Sequence, residues 1–189
     1  MSRSDLLQGC KMNNYYQLTV GNLTRDLPII ELPNGIKIAS FVLLGDAELV
    51  REVTPLLQKK LPEFDVIVTA EAKGIPIAQS LADALYHRKF YVARKSQKSY
   101  MVDPLSIEVN SITTEQTQML YFDGIDAQEI AGKRVAIIDD VISTGESIKS
   151  LESLVEKAGG NVVCRAAILA EGDAKNRDDL IYLEHLPLL

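Results

Sequence analysis

Residues 135 to 147 read Val-Ala-Ile-Ile-Asp-Asp-Val-Ile-Ser-Thr-Gly-Glu-Ser: four apolar residues, two adjacent carboxylates, then a small hydroxyl-bearing turn that contains glycine. An apolar run without polar alternation suits a strand buried on both faces, which is found where helices cover both sides of a parallel sheet. Asp139 and Asp140 then fall at the carboxyl end of that strand, where open α/β sheets bind ligands. The turn that follows presents backbone N–H groups and hydroxyls at the start of a predicted helix, a place that attracts anions.

The rest of the chain fits the same frame. Residues 65 to 70, 90 to 93, 134 to 138 and 161 to 170 read as buried strands. Residues 75 to 86 and 146 to 158 read as helices, the second stopped by Gly159 and Gly160. Strands that alternate with helices imply a central parallel sheet flanked by helices, an α/β fold. Residues 94 to 131 exceed what such a core requires, and their middle is predicted to form a β-hairpin or mobile flap from residues 106 to 111 and 118 to 122. At 189 residues and 47% hydrophobic, with no repeat or linker, residues 1 to 189 are expected to form one domain.

Charge and cysteine usage narrow the class. A formal net charge of −6 with no basic stripe argues against a nucleic-acid partner. Cys10 and Cys164 lack metal-type spacing and read as reduced thiols, with Cys164 packed in a strand. No apolar leader opens the chain and no run approaches the ~20 residues of a membrane span, so a cytoplasmic location without membrane contact is expected.

The chemistry of residues 139 to 147 is two-sided. Ionised carboxylates accept hydrogen bonds and repel phosphate, so Asp139 and Asp140 suit the 2′ and 3′ hydroxyls of a ribose. Backbone amides and the hydroxyls of Ser143, Thr144 and Ser147, with Gly145 and Glu146 between, suit its 5′ phosphate.

This segment resembles the signature of the type I phosphoribosyltransferases, which bind phosphoribosyl pyrophosphate (PRPP) through an apolar strand, two acidic residues and a Thr-Gly turn. Many members carry Gly where this chain has Glu146, so the Glu146 carboxylate should point outward and leave only its N–H to the phosphate. Residues 68 to 76, with Glu71-Ala72-Lys73-Gly74 before Pro76, look like the strand-to-helix turn that cradles pyrophosphate in purine-specific members. The resemblance implies Ala72, Lys73 and Gly74 as pyrophosphate contacts. It likewise places Arg94, Lys95 and Lys98 at a loop that closes over the site and neutralises the leaving group, with Tyr100 sealing it. Val141 is a candidate contact of the base, and Glu171, at the end of the last core strand, a candidate contact of the base or of magnesium.

The resemblance implies the type I fold, with a core over about residues 50 to 171 and a small hood from about 1 to 50 and 171 to 189 that selects the base. It implies a purine salvage reaction at the anomeric carbon of PRPP, with Mg²⁺ carried on PRPP rather than in a dedicated protein cage, in a homodimer. Adenine is the first expectation. Members that handle 6-oxopurines often carry Asp at the position of Ser143, which cannot serve as that base. Adenine-type members use a loop Glu, for which Glu108 and Glu115 lie in the corresponding stretch. The hood, however, reads Asp26-Leu27-Pro28 and Leu32-Pro33-Asn34-Gly35-Ile36 instead of the adenine pattern. The alternatives are a xanthine or hypoxanthine-guanine enzyme and a non-catalytic PRPP-sensing regulator. His87, beside a helix end, and His185, in an alternating strand, are read as structural.

Overall fold

The computed structural model describes residues 14–109 and 118–189. An antiparallel sheet comes first, from β1 (Tyr15–Val20), β2 (Leu23–Glu31) and β3 (Lys37–Ala39), followed by α1 (Ala47–Gln58). Then come β4 (Val66–Ala70), α2 (Ile75–Ala84), β5 (Tyr91–Ala93), β6 (Leu105–Val109), β7 (Gln118–Phe122) and α3 (Gly124–Ile130). The chain ends with β8 (Arg134–Ile142), α4 (Glu146–Lys157), β9 (Asn161–Glu171), a 3₁₀ turn (Gly172–Asn176) and β10 (Ile181–Leu186).

The central sheet has the order β10-β9-β8-β4-β5 and is parallel throughout. Its faces follow from the two-residue repeat of a strand. Ala136 and Ile138 of β8 point to one side, where they meet Leu49, Val53 and Leu57 of α1 and Ile77 and Leu81 of α2. Val135 and Ile137 point to the other side, toward Ile130 of α3 and Ile148, Leu151 and Leu154 of α4. All four β8 side chains are fully buried, which at ~25 cal/mol per Å² makes this strand the apolar centre of the fold.

Several expectations change in detail. The β8 strand runs four residues past Ile138, because β9 keeps pairing with it from Asp139↔Ala167 to Ile142↔Ala170. Helix α2 stops at Ala84, not Tyr86. Tyr86 takes a left-handed φ of 57° while His87 N–H and Tyr86 N–H bond back to Ala82 and Asp83 carbonyls, a closing turn that a helix cannot pass. Gly159 closes α4 in the same way, at φ 80°, as its sequence foretold.

Residues 181 to 186, expected in the hood, form β10 at the edge of the core sheet, paired in parallel with β9. The last residues then return to β3, with Leu189 N–H bonded to the Lys37 carbonyl. The expected hairpin is formed by β6 and β7, which pair from Leu105↔Phe122 to Val109↔Gln118, and Phe122 and Leu120 are buried against α4 and the sheet, which anchors its base. Cys10, Ser111 and Glu115 lie outside the described residues. Cys164 is buried and its thiol is pushed up to about 11 by that burial, in keeping with a packing role. The His87 ring packs against Phe64, with centroids 5.5 Å apart.

Candidate active site

At the carboxyl end of the sheet, β8 loses one neighbour before the other. Its pairing with β4 ends at Val68↔Ile137, whereas β9 accompanies it to Ile142. Asp139 and Asp140 therefore stand beside an opening, and the turn between β4 and α2 fills it. That turn contains a cis peptide between Glu71 and Ala72. Gly74 closes it against Asp139 so tightly that an added side-chain carbon would lie 2.9 Å from Asp139 Oδ1 and 3.1 Å from its Cα, and would collide with Thr69 Oγ1. The glycine is needed for close approach, since its φ of −73° is open to any residue.

Because successive strand residues point oppositely, the two carboxylates face different cavities. Asp140 joins Lys73, Val141, Ser143 and Glu171 around a cavity of about 230 Å³, roofed by Ser40 and Phe41 after β3 and by Leu186 of β10. Asp139 joins Ser143, Thr144, Gly145 and Ser147 around a smaller one of about 60 Å³. Val141 and Ser143 line both, so the two cavities adjoin at these residues. Gly145 adopts φ 83° at the head of α4, which turns the chain into the helix and leaves the amides of its first turn at the smaller cavity. Glu146 does not line that cavity, as its charge required.

The electrostatics are those of a site prepared for a ligand. Asp140 is 4% exposed, and its Oδ2 is buried with no hydrogen-bond partner among the described residues. Its N–H donates to Asp139 Oδ1 at 2.8 Å. Burial raises the pKa of both carboxyls, and for Asp139 the adjacent Asp140 charge adds to it; the Lys73 ammonium works against the rise in each. Glu171 is likewise raised by burial and opposed by Lys73. One lysine thus serves three carboxyls. An unpaired buried acceptor costs roughly 1–3 kcal/mol, which a hydroxyl donor or a cation would recover.

The basic segment after β5 is placed beside this centre, not inside it. Arg94 Nε lies 3.2 Å from Glu71 Oε2, and the Lys95 N–H donates to the same oxygen at 3.1 Å. These contacts hold the Glu71 carboxyl below its usual range, led by the Lys95 amide. Lys98 donates to Ser96 Oγ at 2.6 Å, and Tyr100, 63% exposed, shares a separate cleft with Arg94 and Met101. Glu108 lies on β6 and lines neither cavity. A larger cleft of about 470 Å³, lined by His87, Arg88 and Lys89, opens at the amino ends of β4 and β5, away from the acid pair.

Two features escaped the sequence reading. Ser40 and Phe41 roof the larger cavity, although nothing in their composition marks them. Arg177, from a polar run after the 3₁₀ turn, lies over Gly145: a side-chain carbon there would collide with its Nη1 and stand 3.2 Å from its Cζ.

Known proteins show the same likeness. The chain is 35% identical to a hypoxanthine/guanine phosphoribosyltransferase of Methanococcus voltae over 141 residues, 74% of this chain and 71% of the relative. It is 34% identical to an adenine phosphoribosyltransferase of Thermosipho africanus, over 73% of this chain and 79% of the relative. In structure it resembles the adenine phosphoribosyltransferase of Thermoanaerobacter pseudethanolicus, with a TM-score of 0.69 and 29% identity across 84% of this chain and 95% of the other. Residues 45–184, which hold the acid pair, both turns and all of the central sheet but the last two residues of β10, match the phosphoribosyl transferase domain, and the chain belongs to that family.

Proposed function

We propose that this chain transfers the 5-phosphoribosyl group of PRPP to a ring nitrogen of a purine base, adenine first, and releases pyrophosphate. The observation that carries the reading is the junction of two cavities at Ser143, one bearing the phosphate turn and the other the buried Asp140 with its unpaired oxygen. Ribose bridges such a junction: its 5′ phosphate meets the amides of residues 144 to 147, and its hydroxyls donate to Asp139 and Asp140.

In the reaction the bond from the anomeric carbon to pyrophosphate oxygen breaks, and its electron pair leaves with pyrophosphate. The lone pair of the base nitrogen forms the new bond, and the base then gives up its ring proton to water. The turn of Ala72, Lys73 and Gly74 binds the pyrophosphate, and Arg94, Lys95 and Lys98 approach it from the neighbouring loop, so catalysis rests on positioning and charge neutralisation. Tyr100 helps to exclude water. Val141 and Glu171 face the base. The donor set fits a Mg²⁺ ion that arrives on PRPP, because Asp140 Oδ2 is a buried acceptor without a partner and would receive one of its water ligands. Bound there, the ion supplies positive charge to the departing pyrophosphate.

Adenine is supported by Ser143, which offers no carboxylate to the base, and by the Thermosipho relative. An oxopurine such as hypoxanthine or guanine is the second reading, favoured by the Methanococcus relative and by Lys73 in the larger cavity, which supplies the donor that a C6 oxygen needs. A homodimer completes the proposal. The test is pyrophosphate release from PRPP and Mg²⁺ with adenine, hypoxanthine, guanine and xanthine, alongside a no-base control. Turnover with adenine supports the first reading, and turnover with oxopurines alone replaces it with the second. PRPP binding without turnover on any base identifies a sensor and overturns the enzymatic reading.

A further inference from the structure

The phosphate turn lacks a cation of its own. Between residues 143 and 147 the only charged side chain is Glu146, which does not line the smaller cavity, and the one charged group that does, among the described residues, is Asp139, so a phosphate dianion bound there would meet a carboxyl and no cation. Backbone amides and the hydroxyls of Ser143, Thr144 and Ser147 must then overcome that repulsion.

Arg177 supplies what the turn lacks. It follows the 3₁₀ turn and is held by its neighbour Asp179, to which Nε donates at 3.0 Å and Nη2 at 2.8 Å. This two-point clamp fixes the plane of the guanidinium and spends two of its three nitrogens. The third, Nη1, has no hydrogen-bond acceptor among the described residues and lies against Gly145, the residue that turns the chain into α4. Asp179 is shared. Arg165 Nε approaches it at 3.8 Å while also pairing with Glu152 of α4, so the Asp179 charge is divided between two guanidiniums. The pair formed by Arg177 and Asp179 is thus a fixed dipole with its positive end against Gly145, at the edge of the smaller cavity and not in its lining.

We propose that Arg177 is a further recognition residue for the 5′ phosphate, presented from the segment after β9 and aimed by Asp179. The inference rests on the phosphoribosyl reading above. It assigns to Arg177 the discrimination between phosphorylated and unphosphorylated ribose, and no part in holding pyrophosphate.

The test is titration of the full chain with ribose 5-phosphate and, separately, with inorganic pyrophosphate, in wild type, Arg177→Gln and Arg177→Lys. Arg177→Gln should weaken ribose 5-phosphate by about tenfold or more and leave pyrophosphate within about twofold. It should raise the KM for PRPP with kcat nearly unchanged, and Arg177→Lys should restore most of the loss. Wild-type affinity for ribose 5-phosphate in Arg177→Gln overturns the proposal, as does an equal loss of both ligands. If Arg177→Gln fails to melt cooperatively, Asp179→Asn decides instead: it keeps the charge but removes the clamp, and unchanged ribose 5-phosphate affinity overturns the proposal. A wild type that binds neither ribose 5-phosphate nor PRPP sinks the parent reading, and this one with it.

Discussion

Arg94 and Glu71 are joined across two loops, with Nε 3.2 Å from Oε2, so a cation of the loop after β5 is stored on a carboxylate of the turn between β4 and α2 that is proposed to bind pyrophosphate. Arriving pyrophosphate would compete for a guanidinium already within reach. Arg94→Ala should therefore lower kcat for pyrophosphate release on the order of 10²-fold while the KM for the base moves little, since the lost charge faces the leaving group. Steady-state kinetics with PRPP and base varied independently check this. An equal rise in both KM values with kcat intact would place Arg94 elsewhere.

Gly74→Ala tests the contact between the two site loops. The methyl would stand 2.9 Å from Asp139 Oδ1 and 3.1 Å from its backbone, and the second of these cannot yield as a flexible side chain does. Overpacking of this kind costs about 1–3 kcal/mol. The variant should fold, melt lower, and lose PRPP affinity far beyond what the melting change suggests, because the strand that must move carries the acid pair. Full PRPP affinity in Gly74→Ala would show that the two loops are independent.

The extent to which this fold was readable depended on where each signal resided. β8, α4 and the turn between them were legible because strand burial, the acid pair and the helix stop all lie within consecutive residues. The second hairpin strand matches its expected bounds and the first begins one residue before its expected start, for the same reason, while the expected end at Ser111 lies outside the described residues. Helix α1 escaped notice because Pro55 interrupts its pattern, and it persists through tertiary burial of Leu49, Val53 and Leu57 and the cap at Asp46. β10 falls in the expected hood because the resemblance places all residues after about 171 there, and only its pairing with β9 reveals it as a core edge. The site divided likewise. Asp139, Asp140 and the Ser143 turn are legible through local pattern and Lys73 through the resemblance, whereas Ser40 and Phe41 reach the larger cavity, and Arg177 reaches Gly145, from distant segments with no local mark.

Asp46 offers a stability prediction that leaves the chemistry alone. Its carboxylate accepts the Leu49 N–H at 3.0 Å as the cap of α1, and receives Arg25 Nε at 2.7 Å. Arg25, followed by burial and the amide, sets its pKa, which ends below the usual range. Asp46→Ala should cost about 1 kcal/mol, a fall in Tm of roughly 2–4 °C. The sign of its pH dependence follows from the lowered pKa. The contribution is present above the ordinary carboxylate range and fades as pH falls through the folded value, so wild type and variant should converge in acid. A gap in Tm that persists at pH 2 to 3 would assign the effect to packing instead.

The acid pair should show the opposite pH dependence. Burial raises the folded pKa of Asp139, with Asp140 repulsion added, and burial raises that of Asp140 as well, whereas in the unfolded chain both return to about 4. The folded state then holds protons that the unfolded state releases. Its stability is complete below the unfolded value and declines as pH rises through the folded one. Replacing both residues by Asn removes that penalty. The double variant should melt close to wild type near pH 4 and above it by several degrees at pH 8, while losing PRPP binding and turnover at both. Thermal melts at the two pH values, with PRPP titration at pH 8, decide the matter. A Tm difference that stays flat across the range would mean that the pair is not penalised by burial. Retained turnover in the double variant would remove Asp139 and Asp140 from the site. The expected combination, a more stable protein that no longer works, is the mark of carboxylates kept buried for a ligand at the expense of the fold.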